Sequence, residues 1–323
     1  MLNPGPDDDD TVRVKLPQPR RRKPALPMLG GAVVLVCVLA GVGYWVARSS
    51  PAVIPIDTET EAQIDATQPC AVKVSYFAPD PAIVVIDFPN LTLQGEMLDR
   101  VAALVEKAHL PRGRVLDDAA LAQAIYNCGD TIESYYYGHD YRAADLARFF
   151  ALAAADGVRL NAQELWLKQL VAQLGWFAPG ANGALVTLPG AVSPITEEMR
   201  AVILHHELSH GAFYTMPEYE AYATAFWNSL TVADRAAFTN FLGQQGYDTN
   251  NTNLMLNETQ AYLIFTRDPR FFNGGAVGMS NAQIDTLRAG FIAGMPDFWL
   301  QPMANAVLPI GPAPMSCRAG GAE

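Results

Sequence analysis

The spacing of apolar and polar residues changes character three times along the chain. From Met28 to Ala47 twenty residues, MLGGAVVLVCVLAGVGYWVA, run without a charge. As a helix this stretch rises roughly 30 Å, the hydrocarbon thickness of a bilayer. Between Ala71 and Phe88 the segments AVKVSYF and AIVVIDF are rich in β-branched residues and separated by Ala-Pro-Asp-Pro, which predicts two strands. From Leu91 onward apolar residues recur three and four apart in LQGEMLDRVAALVEKAHL, DDAALAQAIYNC, AADLARFFALAAADG and NAQELWLKQLVAQLG. Each of these ends near Gly or Pro and predicts a helix. ALVTL, between Gly183 and Pro189, is a short strand candidate.

The helix expected after Thr196 is well punctuated. Thr196 suits its N-cap, Glu197 and Glu198 suit its positive end, and Gly211 can close it in a left-handed conformation. Further helices are expected from Glu218 to Ser229, from Val232 to Gln245 behind a Thr231 cap, and from about Leu254 to Thr266, stopped before Asp268-Pro269. These elements predict a mainly helical α+β domain over residues 70–300, and no internal repeat is visible. Residues 1–27 read as a disordered leader, 28–47 as a transmembrane helix, 48–69 as a polar stalk and 301–323 as a Pro/Gly-rich tail.

Charge orients this arrangement. Arg20-Arg21-Arg22-Lys23 precedes the apolar run and only Arg48 follows it, so the positive-inside rule puts the N-terminus in the cytoplasm and the domain outside, as in a single-pass protein with a periplasmic domain at a bacterial inner membrane. No Ala-x-Ala precedes Arg48, which argues against a cleaved signal peptide. Of 22 Lys/Arg and 33 Asp/Glu, residues 1–27 hold six and four; with Arg48 set aside, 15 and 29 remain, a net charge near −14 for the segment after Arg48. That balance argues against nucleic acid as a partner. Outside the apolar run stand Cys70, Cys128 and Cys317, which permit one disulfide, and Cys70 with Cys128 is the preferred pair because Cys317 lies in the tail.

His206-Glu207-Leu208-Ser209-His210 carries the chemistry. Histidines four apart on a helix project from one face and can place two imidazoles on one metal ion. Glu207 stands about 100° round the helix from His206, beside such an ion rather than on it, and suits a general base toward a metal-activated water. His205 cannot share that face. A catalytic zinc takes three protein ligands and keeps one position open. Six residues after His210 stands Met216, which excludes a metzincin, so the third ligand is sought among Glu258, Glu220 and Glu218, with Glu258 preferred because its expected helix is otherwise apolar.

The pair His206-Glu207-x-x-His210 and Asn257-Glu258-x-x-Ala261 resembles the gluzincin metallopeptidases over about 60 residues, and HHELSHGAFYT through NETQAYLIFTRDPRFF also resembles a group of uncharacterised bacterial membrane-anchored proteins. The gluzincin likeness implies a zincin-like fold, Zn²⁺ held by His206, His210 and Glu258, Glu207 as catalytic base, and hydrolysis of a peptide or protein substrate. Many gluzincins have an Asp four residues after the ligand Glu, where it buttresses a zinc histidine; this chain has Tyr262 there. The likeness also calls for an oxyanion donor, for which Tyr214, Tyr219, Tyr222, Tyr262 and His139 are candidates, and suggests ALVTL as an edge strand that aligns an extended substrate. Asn257-Glu258-Thr259 is a glycosylation sequon whose occupation would crowd the expected ligand, which favours a bacterial setting. A catalytically silent, zinc-containing envelope binding or scaffold protein is the alternative from another class.

Overall fold

The structure, a computed structural model, describes residues 52–306 and 308. The expected span 28–47 and leader 1–27 lie outside them, as does nearly all of the tail beyond 306. Among the described residues no helix is long and apolar enough to cross a membrane.

The architecture is α+β around one five-stranded sheet. Its strands are β1 (Asp57–Glu59), β2 (Lys73–Phe77), β3 (Ile83–Asp87), β4 (Asp140–Arg142) and β5 (Ala184–Leu188), in the order β1-β2-β3-β5-β4. β2 and β3 are the two strands that the Pro-bounded runs predict; they pair antiparallel, and β5 lies parallel to β3. All five residues of β3 are buried, as expected of a central strand covered on both faces.

Side chains alternate across that sheet. Val84, Ile86 and Leu185 face a core built with Met97, Leu98, Val101, Leu146, Phe149, Leu167 and Leu170. These come from three helices: α2 (Leu91–Val105), α4 (Ala143–Ala155) and α5 (Ala162–Gln173); α3 (Asp118–Cys128) lies between α2 and β4 in the chain. On the other face Ile83, Val85, Val186 and Leu188 meet Ile203, Leu204 and Leu208 of α6 (Glu197–Thr215), the helix that carries the histidine motif. The far side of α6 contributes Ala212 and Phe213 to a third core. That core is shared with α7 (Pro217–Ser229), α8 (Val232–Gln244), α9 (Thr252–Gln260), a π-helical turn (Ala261–Phe265) and α10 (Asn281–Gly294). α6 therefore stands between the sheet and the C-terminal helices.

Five expectations are corrected. Gly211 does not end the motif helix, which continues to Thr215 before Pro217 opens α7. Its role is close packing, since a Cβ there would stand 2.8 Å from Cδ1 of Ile83. β5 is paired on both sides, with β3 and β4, so ALVTL is no edge strand and cannot dock a substrate by its main chain; the edge is β4, too short for its period to show in the sequence. Residues 57–69 are not a free stalk: β1 pairs with β2, Ile64 of α1 (Glu61–Asp65) is buried, and Arg200 of α6 donates to the carbonyls of Ile64 and Thr67. Cys128 is a free, exposed thiol, whereas Cys70 is disulfide-bonded, so the preferred pair does not form. The packed domain also runs past residue 300, through the short helix α11 (Leu300–Met303) to buried Ala304.

Candidate functional site

α6 is fixed at its first turns before it presents the motif. Thr196 caps it as expected, accepting from the Met199 amide. Arg200, 1% exposed, makes a two-pronged contact with Asp87 at the end of β3, 2.8 Å at each oxygen, and donates to the Pro189 carbonyl as well. Two turns on, His206 and His210 stand on one face with their Nε2 atoms 3.0 Å apart.

Glu258 of α9 reaches the same point: its oxygens lie 3.7 Å from Nε2 of each histidine. One donor atom from each of the three residues falls within 4.8 Å of the other two, a grouping able to hold a metal ion. The competing glutamates are elsewhere, Glu220 paired with Arg142 at the surface and Glu218 exposed. His205 points away from the group and pairs with Glu61 of α1.

Glu258 is held by the packing of its helix. The Gln260 amide donates to Ser209 Oγ on α6 and to Asn257 Oδ1, and its carbonyl oxygen accepts from the Tyr219 hydroxyl on α7. Asn257 is itself 1% exposed, so the sequon is closed to a glycan in the folded protein. After Gln260 the expected single helix changes to a π turn, and its wider winding carries Thr266 to His206. The Thr266 hydroxyl donates to the Ala261 carbonyl, which leaves its oxygen to accept from Nδ1 of His206 at 2.8 Å. Nδ1 then carries the proton, and the Nε2 lone pair is left facing Glu258. Tyr262 is no buttress, but packs its ring edge-to-face on the His206 imidazole at 4.8 Å.

Glu207 lies beside the group, 4% exposed, with Oε2 free of any hydrogen-bond partner among the described residues. It borders a cavity of about 320 Å³ that His206, Tyr262, Thr266, Tyr135, Tyr136, Tyr137 and Gly138 also line. Gly138 leaves room for Glu207 in this position: a Cβ there would stand 2.0 Å from its Oε1.

The surroundings are acidic. Burial raises the Glu207 carboxyl well above the usual carboxylate range, and Asp140, Glu258 and Glu106 add to the shift. Burial likewise raises Glu258, with Asp140 adding and His210 and Tyr247 opposing. Glu106, at the end of α2, is raised by burial and by Asp140 and Glu258. Four buried carboxylates thus share one small region whose imidazoles burial holds neutral in the case of His206, pulled down to about 4. Such a cluster favours either protons or a cation.

Sequence reasoning missed Asp140, Glu106, Gly138 and Thr266. Asp140 is placed by β4, 3.7 Å from His210 Nε2, with its other oxygen accepting from the Tyr214 hydroxyl at 2.6 Å. Of the oxyanion candidates, Tyr214, Tyr219 and Tyr222 are engaged with Asp140, Gln260 and the Phe291 carbonyl, and His139 is buried against the Tyr141 hydroxyl. Tyr262 alone of the five borders the cavity, joined there by the unforeseen Tyr135, Tyr136, Tyr137 and Tyr247. Compared with models of protein families, with curated proteins and with solved structures, the chain matches none.

Proposed function

We propose that this protein is a zinc-dependent peptidase of zincin-like arrangement, with the ion held by His206, His210 and Glu258 and with Glu207 as general base. The reading extends to a domain tethered outside the cytoplasm by residues 28–47. The observation that carries it is the convergence, from two helices far apart in sequence, of two imidazole nitrogens and one carboxylate beside an uncommitted glutamate at a cavity wall.

The donor set fits the ion. Two nitrogens and an oxygen are what a catalytic zinc takes, and nitrogens on one tetrahedral ion stand roughly 3.3 Å apart, close to the 3.0 Å between the two Nε2 atoms. Glu258 Oε2 is buried without a hydrogen-bond partner among the described residues, an orphan that a cation satisfies. When bound, zinc supplies a Lewis acid that lowers the pKa of a water toward neutrality and polarises a carbonyl oxygen.

The chain does the rest. Thr266 fixes the His206 ring and its tautomer. Glu207, its Oε2 uncommitted beside the donor group, accepts a proton from the attacking water and passes it to the leaving amine. The tyrosines that line the cavity narrow its access to water.

A second reading has its own observation. Asp140 Oδ2 lies as close to His210 as Glu258 does, and a fourth donor closing the coordination would make the site structural and the protein a binding or scaffold module. Metal content of the purified full chain, with hydrolysis of a peptide library, separates the two. The peptidase reading expects near one zinc per chain, lost in Glu258→Ala, kept in Glu207→Gln with hydrolysis falling by about 10²–10⁴-fold, and kept in Asp140→Asn. Zinc lost in Asp140→Asn, with no hydrolysis by the wild type, establishes the closed site. No zinc in the wild type removes both.

A further inference from the structure

Lys107 brings into this cavity a cation for which the proposed chemistry has no use. It is 3% exposed yet borders the space that Glu207 and His206 border. Its ammonium lies 4.0 Å from the ring centres of both Tyr135 and Tyr136 and donates to the Tyr135 carbonyl at 2.9 Å. Among the described residues it forms no ion pair. Asp130, Glu106 and Asp99 act on it from farther away, and burial outweighs them in holding its pKa below the usual lysine value. Buried charges are ordinarily paired, because desolvating one alone is expensive.

The partner that is missing from the protein can come from a ligand. The backbone sets Lys107 opposite Tyr247 in an isolated antiparallel bridge, and Ala108 donates to the Gly246 carbonyl. This brings the ammonium to the end of α8, where the exposed Gln244 and Gln245 border the same cavity and add amide donors. Tyr247, Tyr262 and Phe271 supply apolar wall around them. In a segment of net charge near −14 after Arg48, this ammonium is a fixed positive charge on the cavity wall, and Coulomb attraction to it out of bulk water is much less screened than at the surface.

We propose that Lys107 binds a carboxylate of the substrate, and that the site selects peptides carrying an acid group beside an apolar side chain. This rests on the peptidase reading for the word substrate, though not for the binding itself. The carboxylate has two sources, a free C-terminus or an Asp/Glu side chain.

Calorimetric titration of the purified full chain with two matched pairs distinguishes them. N-acetyl-phenylalanine against its amide tests the terminal carboxylate; N-acetyl-aspartate α-amide against N-acetyl-asparagine amide tests the side chain. In at least one pair the acid is expected to bind tenfold or more tighter, and the preference is expected to fall within threefold of unity in Lys107→Met while Lys107→Arg keeps it. A metal at the histidines is common to all forms, so the variants isolate the ammonium. Lys107→Gln, which retains a donor for the Tyr135 carbonyl, serves the same purpose where the methionine variant misfolds. Equal binding within both pairs by the wild type, or a preference that survives in folded Lys107→Met and Lys107→Gln, overturns the proposal and leaves Lys107 as a clamp on the tyrosine loop. Preference without hydrolysis or zinc sinks the peptidase reading alone; hydrolysis with zinc and no preference sinks only the carboxylate site.

Discussion

Glu207 is held in place as much by what position 138 lacks as by any bond. A Cβ at 138 would meet Oε1, Cδ and Cγ of Glu207 at 2.0, 2.6 and 3.1 Å, and all three belong to the mobile end of a side chain, so the glutamate rather than the backbone gives way. Gly138→Ala is therefore expected to leave the melting temperature and zinc content near those of the wild type while peptide hydrolysis falls by about 10²-fold or more, the range for displacing a general base. Parallel kinetics, metal analysis and thermal unfolding check this; unchanged kcat would mean that Glu207 takes no part in the reaction. Residues of this kind divide sharply by legibility. His206, Glu207 and His210 could be read because helical spacing is local and fixes their geometry, and Glu258 because a carboxylate on an apolar helix requires a partner. Gly138, Glu106 and Asp140 could not, since they reach the site from a loop, a helix end and a three-residue strand, where no period ties sequence to direction.

At the scale of elements the decisive device is the change from α9 to the π turn. A regular helix from Leu254 to Thr266, as the apolar spacing predicts, would aim Thr266 differently; the π turn closes on Thr266, whose amide donates to the Ala261 carbonyl five residues back. That same turn lets the hydroxyl reach His206 while Tyr262 packs on the imidazole. π turns commonly mark functional sites because an extra residue per turn redirects the side chains beyond it, and no propensity scale announces them. Thr266→Val keeps the shape and removes the acceptor for His206 Nδ1. Loss of a partner of this sort weakens metal binding by about 10–100-fold, so zinc affinity measured by chelator competition is expected to drop by that much with little change in helix content by circular dichroism. An affinity within twofold of the wild type would show that Tyr262 packing alone orients the ring.

Across the whole molecule, the segment ahead of the sheet ties the N-terminal side of the domain to the motif helix. Its polar composition reads as a stalk because β1 is only three residues long and α1 five, too short for periodicity, yet Ile54 and Ile64 are buried. Glu59 accepts from Lys73 at 2.6 Å and from Ser75 at 2.5 Å, and Glu61 meets His205 on α6. Without this segment Arg200 would keep Asp87 and the Pro189 carbonyl but lose the carbonyls of Ile64 and Thr67 as acceptors. Two buried isoleucines contribute about 1.5–3 kcal/mol each, and buried donors left unsatisfied on a charged group add about 1–3 kcal/mol apiece. In a domain of this size each kcal/mol moves the melting temperature by about 2–4 °C. A chain beginning at residue 70 is therefore expected to melt about 10 °C or more below one beginning at residue 53, with weaker zinc retention because the first turns of α6 lose their anchor. A free stalk predicts equal melting temperatures for the two, so differential scanning calorimetry of the pair decides whether the segment is tether or structure.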